Sequence, residues 1–194
     1  MSDTTESMSK DGLKAVREWV TVVGVALLIA FLVRGFVLQQ FYISGPSMES
    51  TMYQDNRVLV NKLSYRLHDI HRGDVVVFDR VTTDGVAVQH DDLIKRVIGL
   101  AGDTISISKC VVSVNGKTID EPYLNDYDLA QSNLDDRCRI PEMVATKVAD
   151  GQLFVMGDNR PQSFDSRMFG TIDKSLVIGR AFVIIWPIGS FHWL

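Results

Sequence analysis

Apolar positions along this chain change their spacing once, near residue 38. Residues 19–38 are almost wholly apolar, broken by Thr21, Gly24, Arg34 and Gly35. About 20 residues of helix rise ~30 Å, the thickness of a hydrocarbon core. A core helix of a globular protein would carry a polar stripe, and residues 19–33 have little of one. The run therefore predicts a transmembrane helix, with Arg34 near its far end able to snorkel to the headgroups. A cleaved leader is the alternative, but the run is long and no A-x-A pattern follows it; the chain continues Gln39-Gln40-Phe41-Tyr42-Ile43. Residues 1–18 read as a polar tail, disordered over 1–13. Lys10, Lys14 and Arg17 precede the run, and after Arg34 no Lys or Arg appears before Arg57. The positive-inside rule then puts the N-terminus in the cytoplasm and the rest outside, as a single-pass protein of the plasma membrane.

Beyond residue 38 the pattern turns to short β-type bursts separated by turn signals. Residues 57–63 alternate. Residues 74–78 follow an Arg72-Gly73 turn. Residues 93–100 carry Ile-Lys-Arg-Val-Ile. Residues 104–108 alternate, and 111–119 contain Asn115-Gly116, a strong hairpin signal. Residues 153–156 form another short burst, and 176–186 are apolar enough for a central strand. Outside the first run only a possible turn near 61–67 looks helical. The expected fold is mostly β: one N-terminal transmembrane helix, then an antiparallel β domain with a small β/loop insertion. The expected divisions are a tail at 1–18, an anchor at 19–38, a β domain from 39–108 and 151–194, and an inserted small lobe at 109–150. That lobe is polar and turn-rich, with Asp126, Asp128, Asp135 and Asp136.

Composition changes this picture little. The 194 residues are 46% hydrophobic and 23% charged, ordinary for a packed core. A net charge of -4, with no basic run, argues against a nucleic-acid partner. Cys110 and Cys138 lack a CxxC spacing, so they do not suggest a zinc site. In an extracytoplasmic domain they could pair; two separate buried thiols is the other reading.

No G-x-S-x-G elbow is present, which disfavours an α/β-hydrolase. His68, His71, His90 and His192 lie in no distinctive context, and no third ligand is spaced to join His68 and His71 on a metal. Lysine is the other base able to activate a serine, provided burial disfavours its charged form. Lys95 has the right neighbours, since on a strand it shares a face with Leu93 and Val97. Alternation alone points rather to a solvent-side lysine, with Ile94 and Ile98 facing the core. The stretch 157–167 is dense in turn formers and offers Ser163, Ser166 and an Asp165/Arg167 pair whose members would share one strand face.

Four segments together resemble bacterial type I signal peptidase, a membrane-bound serine protease that removes signal peptides from exported proteins. They are Ser44-Gly45-Pro46-Ser47-Met48-Glu49-Ser50-Thr51, the RGDVVVF of 72–78, the KRVIGLAGD of 95–103 and the GDNR…S-x-D-S-R of 157–167. Each is weak alone; four in order behind an anchor are very specific. The resemblance implies Ser47 as nucleophile and Lys95 as neutral general base. It also implies that Ser163 orients the lysine amine, and that Asp165 and Arg167 hold the last segment in shape. An oxyanion hole would use the Ser47 N–H and a group two residues earlier. Many members carry Ser there; this chain has Gly45, as some Gram-positive-type members do, with Ser44 one residue further back. Ser50 and Ala101 stand where the family usually or often has Pro. Phe41, Ile43, Met48 and Ile94 would rim or line shallow pockets suited to Ala at the first and third residues before the cut. No metal or organic cofactor is implied. The partners are signal peptides of exported preproteins and the lipid bilayer. About nine residues separate Leu38 from Ser47, a reach of at most ~30 Å, so the nucleophile is tethered near the membrane surface.

Three rivals weigh less. A processing peptidase with a narrow client shares every feature. A membrane-anchored binder has no use for the Ser47, Lys95, Ser163 and Asp165/Arg167 set. A self-cleaving repressor would need a DNA-binding helix-turn-helix where this chain has an apolar run.

Overall fold

The computed structural model describes residues 3–32, 37–85, 87–124 and 137–194. Two compact units result, Met1–Gln39 and Gln40–Leu194.

The first unit contains a helix, α1 (Asp3–Leu32). The polar tail expected to be disordered is helical from Asp3 onward. Extending a helix already formed is far cheaper than nucleating one, and Met, Lys, Leu and Ala residues of 8–15 are good helix formers. The apolar side chains of α1 are exposed, Trp19 and Phe31 at 71% and Leu27 at 66%. The expected anchor, 19–38, runs into residues 33–36, so Arg34 and Gly35 lie outside the described residues. Leu38, expected to close the anchor, instead opens a strand. Among the described residues no helix is long and apolar enough to cross a membrane.

The second unit is mostly antiparallel β. Its larger sheet comprises β1 (Leu38–Tyr42), β2 (Arg57–Asn61), β3 (Val75–Asp84), β4 (Ala87–Gly99), β9 (Gln152–Met156), β10 (Ile172–Asp173), β11 (Val177–Trp186) and β12 (His192–Trp193). The order is β1-β2-β11-β3-β4-β9-β10, with β12 also on β11. A second sheet, ordered β7-β6-β5-β8, comprises β5 (Thr104–Ser108), β6 (Val111–Val114), β7 (Lys117–Thr118) and β8 (Met143–Lys147). Two short helices, α2 (Ser64–Leu67) and α3 (Ser166–Phe169), sit in connections.

The alternation read from sequence matches burial where one face is wet: Val58 and Val60 of β2 are buried, while Arg57 is exposed. β3 is different. Val75 and Val77 pack into one apolar cluster, Val76 and Phe78 into another, so both faces are covered. β3 and β4 pair residue for residue from Val75↔Arg96 to Asp84↔Ala87. The outer half of this hairpin, with Asp79, Thr82, Gln89, His90 and Asp91, carries little apolar signal, which is why the sequence pattern stops short of it. The Asn115-Gly116 hairpin forms between β6 and β7, with φ of 53° and 76° that suit Asn and Gly.

Thr104–Ser108, assigned from sequence to the main β domain, belongs to the second sheet. The aspartates at 126, 128, 135 and 136 lie outside the described residues. Cys110 and Cys138 are joined in a disulfide, with Cα atoms 5.8 Å apart.

Candidate active site

Ser47 occupies a single 3-10 turn, Pro46–Met48, just after β1. Proline presets the backbone angle of the first turn position, and Gly45 before it is extended (φ −140°, ψ 162°). Two apolar side chains pin the loop from below. Met48 is wholly buried in the first cluster and Ile43 is 4% exposed. Ser47 itself is half-buried. Met48 was expected to meet substrate; no part of it reaches the surface, so its role is to anchor the turn.

β4 brings Lys95 to this loop. Alternation suggested a solvent side, but β4 has none here: Val97 packs into the third cluster, Ile98 into the second and Ile94 against the first. Lys95 is only 3% exposed. Its Nζ lies 2.7 Å from Ser47 Oγ and 2.8 Å from the Ile94 carbonyl oxygen. Burial pulls the Lys95 pKa down to about 8, against the opposing pull of Asp165 and Asp158 and with the help of Arg167. An amine in that range is partly neutral near physiological pH and able to accept a proton.

The 157–167 turn closes the site from the end of β9. A side chain at Gly157 would collide with Ser163 Oγ and the Ser47 carbonyl oxygen, so only glycine fits where the two loops meet. The Asn159 N–H donates to that same Ser47 carbonyl at 3.1 Å. Asp165 is fully buried. It accepts from Arg167 Nε and Nη2, each at 2.7 Å, and from the Gly157 N–H at 3.0 Å. Burial works against its charge, but the Arg167 hydrogen bonds and charge outweigh it and hold the carboxyl below the usual range. Ser163 is also fully buried, and its Oγ has no hydrogen-bond partner. That hydroxyl is near enough to Asp165 to help keep the carboxyl low, yet it meets no hydrogen-bond geometry with it. The contact expected from Ser163 to the lysine amine is not made here; the amine is directed to Ser47 and Ile94 instead.

A cleft of about 130 Å³ opens onto Ser47 and Lys95, lined by Phe41, Ile43, Ser44, Gly45 and Ile94 among others. Its volume suits small side chains. Among the described residues no group of three His, Cys, Asp or Glu could hold a metal, His68 and His71 included.

Sequence reasoning missed a second buried pair. Arg96 follows Lys95 and points to the opposite strand face, where it meets Asp158 at 2.9 Å (Nε) and 2.6 Å (Nη2). Asp158 also accepts from Thr51 Oγ1 at 2.5 Å, which ties the nucleophile loop to the lysine strand. The signal was present: two consecutive cations inside an apolar strand cannot both reach water, and a buried Arg needs a carboxylate.

Among known protein families, residues 16–186 match the model described as signal peptidase, peptidase S26. A probable signal peptidase I-2 of Synechocystis sp. is 39% identical over 84% of this chain and 70% of its own. Signal peptidase I of Bacillus caldolyticus is 37% identical over 95% of this chain and 98% of its own. A solved signal peptidase I from Enterococcus faecalis V583 is 28% identical, with a TM-score of 0.43, over 58% of this chain and 97% of that one. With the family pattern spanning residues 16–186 and the Bacillus caldolyticus relative matching nearly end to end, the chain belongs to the signal peptidase family, peptidase S26, and is a serine endopeptidase.

Proposed function

We propose that this protein cleaves N-terminal signal peptides from exported preproteins after A-x-A-like sites, using Ser47 and Lys95 as a catalytic dyad. The observation that carries the reading is the 2.7 Å separation of Lys95 Nζ and Ser47 Oγ around an amine that is 3% exposed. Ser47 Oγ attacks the scissile carbonyl carbon while neutral Lys95 takes its proton. Lys95 returns that proton to the leaving amine nitrogen as the peptide bond breaks, leaving an acyl-enzyme on Ser47. A water molecule, deprotonated by the same amine, attacks the acyl carbonyl; the bond to Ser47 Oγ breaks, Lys95 returns the proton to Oγ, and the signal peptide leaves with a free carboxylate.

The developing oxyanion is met by the Ser47 N–H, which lies at the start of its turn, where the first N–H groups have no intrahelical acceptor. Gly45 offers no side-chain donor; the second contact falls to backbone or water, or to the Ser44 hydroxyl, which lines the same cleft. Ser163, buried and unpartnered beside the Ser47 carbonyl, supplies the hydroxyl that steadies the lysine amine once substrate tightens the site. Asp165 and Arg167 keep the turn in shape. Phe41, Ile43 and Ile94 form shallow walls for small residues before the cut.

The apolar run of residues 19–38 anchors the enzyme in the plasma membrane, with its N-terminus in the cytoplasm and the β unit outside. Substrates held in the same bilayer then share one surface with the enzyme. Purified Ser47→Ala and Lys95→Ala proteins test the dyad against a preprotein carrying an A-x-A site. Each is expected to lose roughly 10⁴-fold or more in kcat with unchanged melting; processing by either at a rate near the unaltered enzyme's would refute it.

A further inference from the structure

The segment 119–124 leads out of the second sheet and touches all three parts of the site. The Ser50 hydroxyl, in the nucleophile loop, donates to the Tyr123 carbonyl oxygen at 2.7 Å. The Tyr123 ring centroid lies 4.0 Å from the guanidinium carbon of Arg96, the residue after Lys95. The Tyr123 hydroxyl donates to Glu121 Oε1 at 2.8 Å. Glu121 accepts both terminal nitrogens of Arg160, whose Nε donates to the Gly157 carbonyl oxygen at 3.1 Å. Ser50 stands where the resemblance leads one to expect Pro, so this chain has a hydrogen bond to the insertion in place of a stiff ring.

We propose that Tyr123 is a positioning residue for the dyad: its backbone holds the Ser47 loop through Ser50, and its ring seals the Arg96–Asp158 pair beside Lys95 from water. This rests on the peptidase reading above. The groups facing the lysine amine are Ser47, Asp165, Asp158 and Arg167. Its lowered pKa comes first from burial. Removing the ring lets water reach Arg96 and, through the loosened pair, the amine. Better solvation favours the ammonium, and a less neutralised Asp158 acts in the same sense. Both effects move the acidic limb of the pH–rate profile to higher pH.

The experiment measures kcat and KM from pH 6 to 10 for the full-length enzyme and its Tyr123→Ala, Tyr123→Phe and Ser50→Ala variants, with thermal melts alongside. Tyr123→Ala is expected to lower kcat roughly tenfold near pH 7 with little change in KM, and to shift the limb alkaline so that part of the loss returns at high pH. Tyr123→Phe keeps the ring and restores the limb. Ser50→Ala loses roughly two- to fivefold in kcat. A folded Tyr123→Ala protein with an unshifted limb overturns the proposal. Should that variant not fold, a Ser50→Ala enzyme within error of the unaltered rate overturns it instead. Failure of the dyad reading is distinguishable, since the Ser47→Ala or Lys95→Ala protein would then still process the preprotein.

Discussion

In α1 the apolar side chains are outside, and in the β unit charged side chains are inside. Trp19 and Phe31 are 71% exposed, whereas Lys95 is 3% exposed and Asp165 fully buried. Each departs from what water favours, and each departure needs a partner. Inside the β unit the partners are in hand: Arg167 on Asp165, Asp158 on Arg96, Glu121 on Arg160. Lys95 is the exception, since its nearest groups are a serine hydroxyl and a backbone carbonyl. The paired charges serve as structure, and the unpaired amine is the group proposed above as the base. The apolar side chains of α1 are exposed, and the proposed membrane anchoring would supply their partner.

Breaking an internal partnership should have the largest effect. Asp165→Ala leaves Arg167 buried and unpaired and removes the acceptor of the Gly157 N–H. Its expected cost is about 3–5 kcal/mol of stability, read by denaturant unfolding. The double change Asp165→Leu with Arg167→Met should recover part of it, because replacing a buried pair by apolar groups is often neutral while the Gly157 N–H still lacks its acceptor. A single variant as stable as the parent would show that the pairing argument fails for this turn.

The unpaired amine predicts a pH dependence of about two decades. Lys95 with a pKa near 8 is neutral above that value and charged below it. The rate should therefore rise about tenfold per pH unit up to about 8 and level off, so that at pH 6 roughly a hundredth of the plateau remains. A profile flat from pH 6 to 9 would mean that Lys95 is not the base.

Much of the β unit was readable because its one-sided strands alternate and its turns carry glycine and asparagine, as at Asn115-Gly116. Where both faces of a strand are covered the signal reverses: alternation argued that Lys95 was wet, and only the tertiary layers on either side of β4 make it dry. The outer β3–β4 hairpin and the short strand at 172–173 were hidden because their residues are polar or too few to show a period. The site was legible as four segments, since each carries turn chemistry that packing alone does not require. Its geometry was not: Ser163 lacks the expected bond to the amine, Met48 sits in the core, and the Arg96–Asp158–Tyr123 group depends on contacts between residues far apart in the chain.

The smallest expected effect sharpens the other half of the comparison. The three apolar clusters among the described residues lie within residues 41–194, so the β unit should keep its fold without α1. Deleting residues 1–37, which leaves β1 whole, should not change kcat/KM on a soluble peptide with an A-x-A site. On a preprotein embedded in vesicles the truncated enzyme should lose roughly ten- to a hundredfold, because enzyme and substrate no longer share one surface at high effective concentration. Equal losses on both substrates would mean that α1 supports the fold rather than the encounter. No loss on either would mean that its exposed apolar side chains answer to something other than a bilayer. In the expected case the same deletion separates the two regions cleanly: chemistry stays with the buried amine, and access to substrate goes with the helix.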